Sequence, residues 1–196
     1  SSPLLYPTIS TTDAKAKSVS ILTSSAALTI ANTGKLTING FNSNTSFANG
    51  GTFENSGQLV LGNESALSFF GITNNVTGTI KNNAGATMAV DNTSNTAIDN
   101  SGTFTNAGTV NVGQTQSVGS AALNNVGSFE NKTGGVFKID RCVLLAIEMT
   151  QTATFVNAGT INIGVSGSVG SVGINSRGSF DNNLGGVITI DNFSDS

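Results

Sequence analysis

Asp91, Asp140 and Asp191 each close a similar apolar stretch, Met88-Ala89-Val90, Phe137-Lys138-Ile139 and Ile188-Thr189-Ile190, and they recur at intervals of 49 and 51 residues. Carboxylates brought to one position by a repeat are raw material for two chemistries. A pair about 5–5.5 Å apart serves a retaining glycosidase and a pair about 6.5–9.5 Å apart an inverting one, while clustered oxygens can hold calcium. The chain has eleven carboxylates, Asp13, Glu54, Glu64, Asp91, Asp99, Glu130, Asp140, Glu148, Asp181, Asp191 and Asp195, and no histidine. Without an imidazole there is no Ser-His-Asp or Cys-His arrangement and no histidine-ligated metal. The single cysteine, Cys142, cannot form an internal disulfide and fits no metal-site spacing. It is expected to be a buried or half-buried bystander, and no catalytic, metal-binding or cofactor-binding residue is assigned.

What positions these groups is a repeat. An apolar residue, usually Phe, is followed after one residue by Asn and, two or three places later, by Gly, as in Phe53-Glu54-Asn55-Ser56-Gly57. The motif recurs at Ile30, Phe53, Ile80, Phe104, Phe129, Phe155 and Phe180, at intervals of 23, 27, 24, 25, 26 and 25 residues. A regular period of this length is the signature of a solenoid. A finer alternation lies on top of it. Asn106-Ala107-Gly108-Thr109-Val110-Asn111-Val112-Gly113 matches Asn157-Ala158-Gly159-Thr160-Ile161-Asn162-Ile163-Gly164, whereas Gly134-Gly135-Val136-Phe137-Lys138-Ile139-Asp140 matches Gly185-Gly186-Val187-Ile188-Thr189-Ile190-Asp191. The unit of duplication is therefore a pair of coils, 51 residues from Phe53 to Phe104 and again from Phe104 to Phe155.

Within each coil, Val110/Val112, Ile161/Ile163 and Leu59/Leu61 alternate with polar residues, the period-2 pattern of a strand with one buried face. Strands this short bury that face only by stacking. The expected fold is all-β: a single-stranded, right-handed parallel β-helix (β-solenoid) of seven or eight coils, about 25 residues per coil. At about 4.8 Å per coil it is roughly 35–40 Å long. Asn32, Asn55, Asn82, Asn106, Asn131, Asn157 and Asn182 are expected to form one amide ladder along it. Asn49, Asn74, Asn100 and Asn125 suggest a second, broken at Met149 and Ser176.

In such a stack Asp91, Asp140 and Asp191 lie on one edge roughly 10 Å apart, two rises. That is too far for a retaining pair and at the outer limit for an inverting one, so solvated turn residues are the expectation and a weak calcium site a minor alternative. The calcium-binding nonapeptide β-roll is rejected, because Lys138 and Thr189 stand where its glycine is required. Thr52, Thr79, Thr103, Ser128, Thr154 and Ser179 form one mixed column beside the anchors, less than the two regular columns an ice-binding face needs. The sequons Asn44-Thr45-Ser46 and Asn131-Lys132-Thr133 are chance products of an Asn- and Thr-rich chain.

Composition narrows the partners. With 37% hydrophobic and 10% charged residues and a net charge of −3, the chain is neither disordered nor suited to nucleic acid or an anionic membrane. No apolar run is long enough for a spanning helix and no signal peptide is visible; the opening Ser1-Ser2-Pro3 is compatible with a processed mature end. Residues 1–20 carry no repeat and are expected to cap a solenoid of residues 21–196. The C-terminal end stops on a repeat, Ile190-Asp191-Asn192, and so presents a sheet edge able to pair with a further coil or subunit. The stretch from Arg141 to Ala153 breaks the pattern with Cys142-Val143-Leu144-Leu145, read as an unusual core-filling loop rather than a contact patch.

The opening coils, Ser18-Val19-Ser20-Ile21, Ala27-Leu28-Thr29-Ile30 and Gly34-Lys35-Leu36-Thr37-Ile38-Asn39, together with the Gly-Thr-Phe-x-Asn-x-Gly-Thr-Ile/Val units, resemble large secreted repeat proteins of Bacteroidetes-type bacteria. The resemblance covers residues 18–192 and is broadly to filamentous-haemagglutinin-like adhesins. It implies export and a role at the cell surface, with no catalytic residue to carry over. The expectation is an extracellular structural or adhesive protein, not an enzyme: a surface adhesin, stalk or filament-forming subunit that stacks head to tail through open coil ends or forms part of a longer solenoid. The alternative is a carbohydrate-binding or polysaccharide-degrading β-helix facing a surface glycan.

Overall fold

The computed structural model describes residues 6–41, 44–67 and 69–193, and among them it contains 23 strands and no helix. Among the described residues no helix is long and apolar enough to cross a membrane. The chain winds as a right-handed parallel β-solenoid. Each coil lays one strand in each of three parallel sheets, which hold eight, eight and seven strands. We number the coils by residues: 8–21, 27–49, 52–74, 79–100, 103–125, 128–149, 154–176 and 179–190, the last with only its first two strands.

The period-2 pattern sets which side chains enter. In the first sheet Leu28, Phe53, Ile80, Phe104, Phe129, Phe155 and Phe180 stack in register. The last four rings lie parallel, with centroids 4.7, 4.7 and 4.9 Å apart, one coil rise each. The second sheet contributes Leu59, Met88, Val110, Phe137 and Ile161, and the third Phe47, Ile72, Ile98, Leu123 and Ile147, all buried. Each fully buried side chain of this size is worth about 1.5–3 kcal/mol over exposure, so the stack, rather than any isolated coil, provides the stability.

Asn55, Asn82, Asn106, Asn131, Asn157 and Asn182 form an unbroken ladder in which each Nδ2 donates to the next Oδ1 at 2.7–2.9 Å. The second proton goes to a backbone carbonyl of the next coil, as from Asn106 to Val136 at 3.1 Å. An asparagine buried at a corner thus satisfies both donors without water, which offsets the cost of burying an amide. The second ladder, Asn49–Asn74–Asn100–Asn125, has spacings of 2.8, 2.7 and 2.8 Å. It ends where Met149 and Ser176 take the same register.

The first coils depart from expectation in two ways. Leu28, not Ile30, pairs with Phe53, so Ile30 occupies the asparagine position and Asn32 is exposed outside the ladder. A spacing of 23 residues from Ile30 to Phe53 looks like one short coil, but it conceals a two-residue shift of the motif. Residues 8–21 form the first coil, with strands Thr8–Ile9, Ala14–Ala16 and Val19–Ile21 in register with the second. The stack therefore begins within the stretch read as a cap, whose residues 1–5 lie outside the described residues, as does Asp195 at the other end.

Candidate functional site

The coil corner between the second and third sheets carries the aspartates that could do chemistry, and it is also where consecutive coils differ. Continuing the second-sheet register by one residue stacks Asn39, Gly62, Asp91, Gly113, Asp140, Gly164 and Asp191 in a single column. Coils 3, 5 and 7 have a two-residue turn from first to second strand and an eight-residue loop from second to third. Coils 4 and 6 have four residues and five at the same places. A short turn is compensated by a long loop, which keeps the coils similar in length.

Asp91 and Asp140 are 5% and 2% exposed, so the expectation of solvated turn residues is corrected. Each carboxylate reaches up to the long loop of the next coil. Asp91 accepts from the amide of Thr115 at 3.1 Å, from that of Gln116 at 3.4 Å and from the Thr115 hydroxyl at 3.1 Å. Asp140 accepts from the amides of Ser166 at 2.9 Å and Gly167 at 3.1 Å, and from Gln114 Nε2 of the coil below at 2.6 Å. Arg141 Nη1 donates to the Gly113 carbonyl at 3.2 Å and also to that of Gln114. The acceptor oxygens are committed to donors, and among the described residues no group of three or more His, Cys, Asp or Glu side chains could hold a metal ion.

The glycines of the column serve the opposite face. Gly62, Gly113 and Gly164 have φ of 76°, 67° and 70°, the left-handed region that an L side chain enters at a cost. A Cβ at Gly62 or Gly113 would also run into the backbone carbonyl of Asp91 or Asp140 in the following coil. In the aspartate coils the left-handed residue falls one place later, at Asn92 and Arg141, with φ of 57° and 45°. Two different interfaces therefore alternate, glycine beneath an aspartate carbonyl and aspartate carboxylate beneath loop amides. This is the physical basis of the two-coil repeat.

Sequence reasoning placed the three aspartates in one column but missed the intervening glycines and Asn39. The signal was present, since Gly113 and Gly164 end the matched short-turn segments and Asn39 follows the strand Lys35–Ile38 just as Asp91 follows Thr87–Val90. The Asn39 amide oxygen accepts weakly from Glu64 N at 3.4 Å, its Nδ2 donates to Glu64 Oε2 at 2.7 Å, and its carbonyl accepts from Ser65 Oγ at 2.8 Å. It is an uncharged version of the same brace.

The divergent stretch from Arg141 also belongs to this corner. Cys142 is buried and bridges to Val118. Burial first, and the neighbouring Asp140 charge second, push its thiol up to about 12. Val143 and Leu144 remain exposed beside it. The Thr52, Thr79, Thr103, Ser128, Thr154, Ser179 column exists as a register, but the next outward column along it is Glu54, Lys81, Thr105, Glu130, Val156 and Asp181, mixed in charge and shape.

The other distinctive surface is the face of coil 8. Here Asn182 accepts from Asn157, but its own Nδ2 turns back to the Gly186 carbonyl at 3.0 Å. Phe180 is half-buried at the end of the ring stack, and Ile190 is 47% exposed where its counterparts Ile163 and Ile139 are fully buried. Asp191 is exposed, and among the described residues its carboxylate accepts from the amide of Asn192, at 3.0 Å. The columns of the first two sheets have their last described rung on coil 8, and those of the third sheet on coil 7 at Val172–Ser176. No family model matches this chain, and no similar protein is found among curated proteins or solved structures.

Proposed function

We propose that the chain is a rigid structural element of an extracellular surface, the shaft of an adhesin, stalk or fibre, whose length is set by coil-on-coil stacking. What carries the reading is the run of like residues through consecutive coils, the amide ladder from Asn55 to Asn182 and the ring stack from Phe104 to Phe180. One amide ladder running from Asn55 to Asn182, a second from Asn49 to Asn125 and a parallel ring stack make bending costly, since bending opens several coil contacts at once. The resemblance of the repeat units to secreted surface adhesins points the same way. In this reading the aspartates at the corner are braces and perform no chemistry.

The test is negative-stain electron microscopy of the purified chain, with light scattering over a range of concentrations. Straight rods of one width are expected, as single rods or joined end to end. Compact particles without a long axis would overturn the shaft reading. Antibody labelling of intact cells that make the protein checks the extracellular part, and labelling only after permeabilisation would overturn it.

A further inference from the structure

We propose that the notch over coil 6, at the corner between the second and third sheets, binds a carboxylate carried on a small apolar group, with Arg141 as its anchor. The site stands independently of the shaft reading. The alternation of loops builds it. The five-residue loop of coil 6, residues 140–144, lies between the eight-residue loops 113–120 and 164–171 of coils 5 and 7. The recess measures 260 Å³ and is lined by Ser117, Arg141, Cys142, Val143 and Ser168, which suits a ligand smaller than the drug-sized ones of ordinary pockets. Ser117 precedes the bridge from Val118 to Cys142, and Gly170 N donates to the Cys142 carbonyl, so Ser117, Arg141 and Ser168 form one column with the arginine in the middle. Among the described residues neither serine hydroxyl is engaged in a hydrogen bond.

The corner itself does not require an arginine. The equivalent positions of coils 4 and 8 hold Asn92 and Asn192, each directly after the column aspartate. Asn92 has φ of 57° and Arg141 of 45°; asparagine tolerates that left-handed conformation, whereas arginine enters it at a cost. Asn192 Nδ2 donates to the Gly164 carbonyl at 3.0 Å, and Arg141 Nη1 makes the corresponding bond to Gly113 at 3.2 Å. What arginine adds is a positive charge and the edge formed by Nε and Nη2. Among the described residues that edge makes no hydrogen bond and no carboxylate ion-pairs with it. The Nη1 bonds to coil 5 hold it in place, and a carboxylate meets such a planar fork with two parallel bonds. Gly167 is a second departure from the repeat. Its counterpart in coil 5 is Gln116, and a Cβ at Gly167 would press on Arg141 Cγ and Cζ, 2.9 and 3.2 Å away. The Asp140 charge next in sequence disfavours a dianion, so phosphate and sulfate fit worse than a monoanion. Val143, 54% exposed, lines the notch with apolar surface for the carrier of the carboxylate.

Nuclear magnetic resonance titration of the full chain with butyrate, acetate and inorganic phosphate tests this. Butyrate is expected to shift the amides of Ser117, Arg141, Cys142, Val143 and Ser168 saturably, with a Kd on the order of millimolar, and to bind more tightly than acetate or phosphate. Arg141→Asn installs the residue its counterparts carry and keeps a donor for Gly113. It is expected to leave the melting temperature no lower while weakening butyrate about tenfold or more. Arg141→Lys keeps the charge without the fork and is expected to fall between the two. No saturable shift at these amides with butyrate, or an affinity unchanged in both Arg141 variants, would overturn the site. Phosphate binding more tightly than butyrate would overturn the assignment to a carboxylate, and acetate binding as tightly would overturn the apolar part of it.

Discussion

The carboxylate of Asp140 accepts the backbone amide of Ser166 at 2.9 Å, joining the corner of one coil to the loop of the next. The pair is the clearest instance of a contact that no single coil can make. Charge-assisted bonds to a buried carboxylate are the strong ones. Asp140→Ala would also take the acceptor from the Gly167 amide and leave Gln114 Nε2 only its longer bond to the Val112 carbonyl. We expect this substitution to cost about 2–4 kcal/mol, with Asp191→Ala near zero in the same chain. Urea unfolding of the two variants side by side checks the contrast, and equal effects would show that the aspartate acts within its own coil.

Asn106 sits mid-ladder, accepting from Asn82 and donating to Asn131, both at 2.8 Å. Asn106→Ala leaves a buried donor on one side and a buried acceptor on the other. The expected loss is about 2–4 kcal/mol, because unmade buried bonds cost more than made ones contribute. Asn182→Ala, at the open rung, is expected to cost under about 1 kcal/mol. Thermal melts of both, at one protein concentration, decide the matter.

Cys142 gives a pH dependence whose sign can be worked out. Its thiol has an ordinary value of 9.0 and is pushed up to about 12 in the fold, chiefly by burial. Between these two values the unfolded chain has lost the proton and the native chain keeps it, so the unfolded state binds fewer protons. Stability from this group therefore falls as pH rises from 9.0 towards 12 and is unaffected below 9.0. Cys142→Ala should flatten the unfolding midpoint across that window. A thiol reagent at pH 8 should label the native chain far more slowly than the urea-unfolded one, and equal rates would show the group to be accessible.

Asp99 lies on the outer side of the third sheet, where Asn124 Nδ2 donates to it at 2.8 Å. Burial nonetheless raises its carboxyl above the ordinary 3.8, with the Asn124 bond opposing the rise. A raised carboxyl favours the neutral form, so the native state is penalised at neutral pH and relieved on acidification through the raised value. Asp99→Asn keeps the shape and removes the charge, and should lift the melting temperature at pH 7 while changing it little at pH 3. A lower melting temperature at pH 7 would mean that the charge is stabilising.

The repeat itself was legible because stacking makes each position of a coil meet its own kind. A residue that packs well against itself, such as phenylalanine at Phe104, Phe129 and Phe155 or asparagine in the ladder, is written again at every turn. The phase of coil 2 was misread for the same reason. Ile30-Ala31-Asn32-Thr33-Gly34 satisfies the spelling of the motif, but the strand Ala27–Ile30 sits two residues off, with Leu28 on Phe53. A spacing argument has no means of detecting a shift that swaps one inward residue for another.

From the sequence alone follow the all-β solenoid, the coil length, the pairing of coils and the identity of the ladder asparagines from Asn55 onward, because each depends on periodicity along the chain. The environment of the aspartates was decided only by the tertiary structure. Asp91 and Asp140 look like solvated turn residues in the sequence because their donors, the amides of Thr115, Gln116, Ser166 and Gly167, lie a full coil away and belong to the backbone. Backbone donors leave no mark on residue type, so burial of a charge against them becomes visible only once the next coil is laid on top.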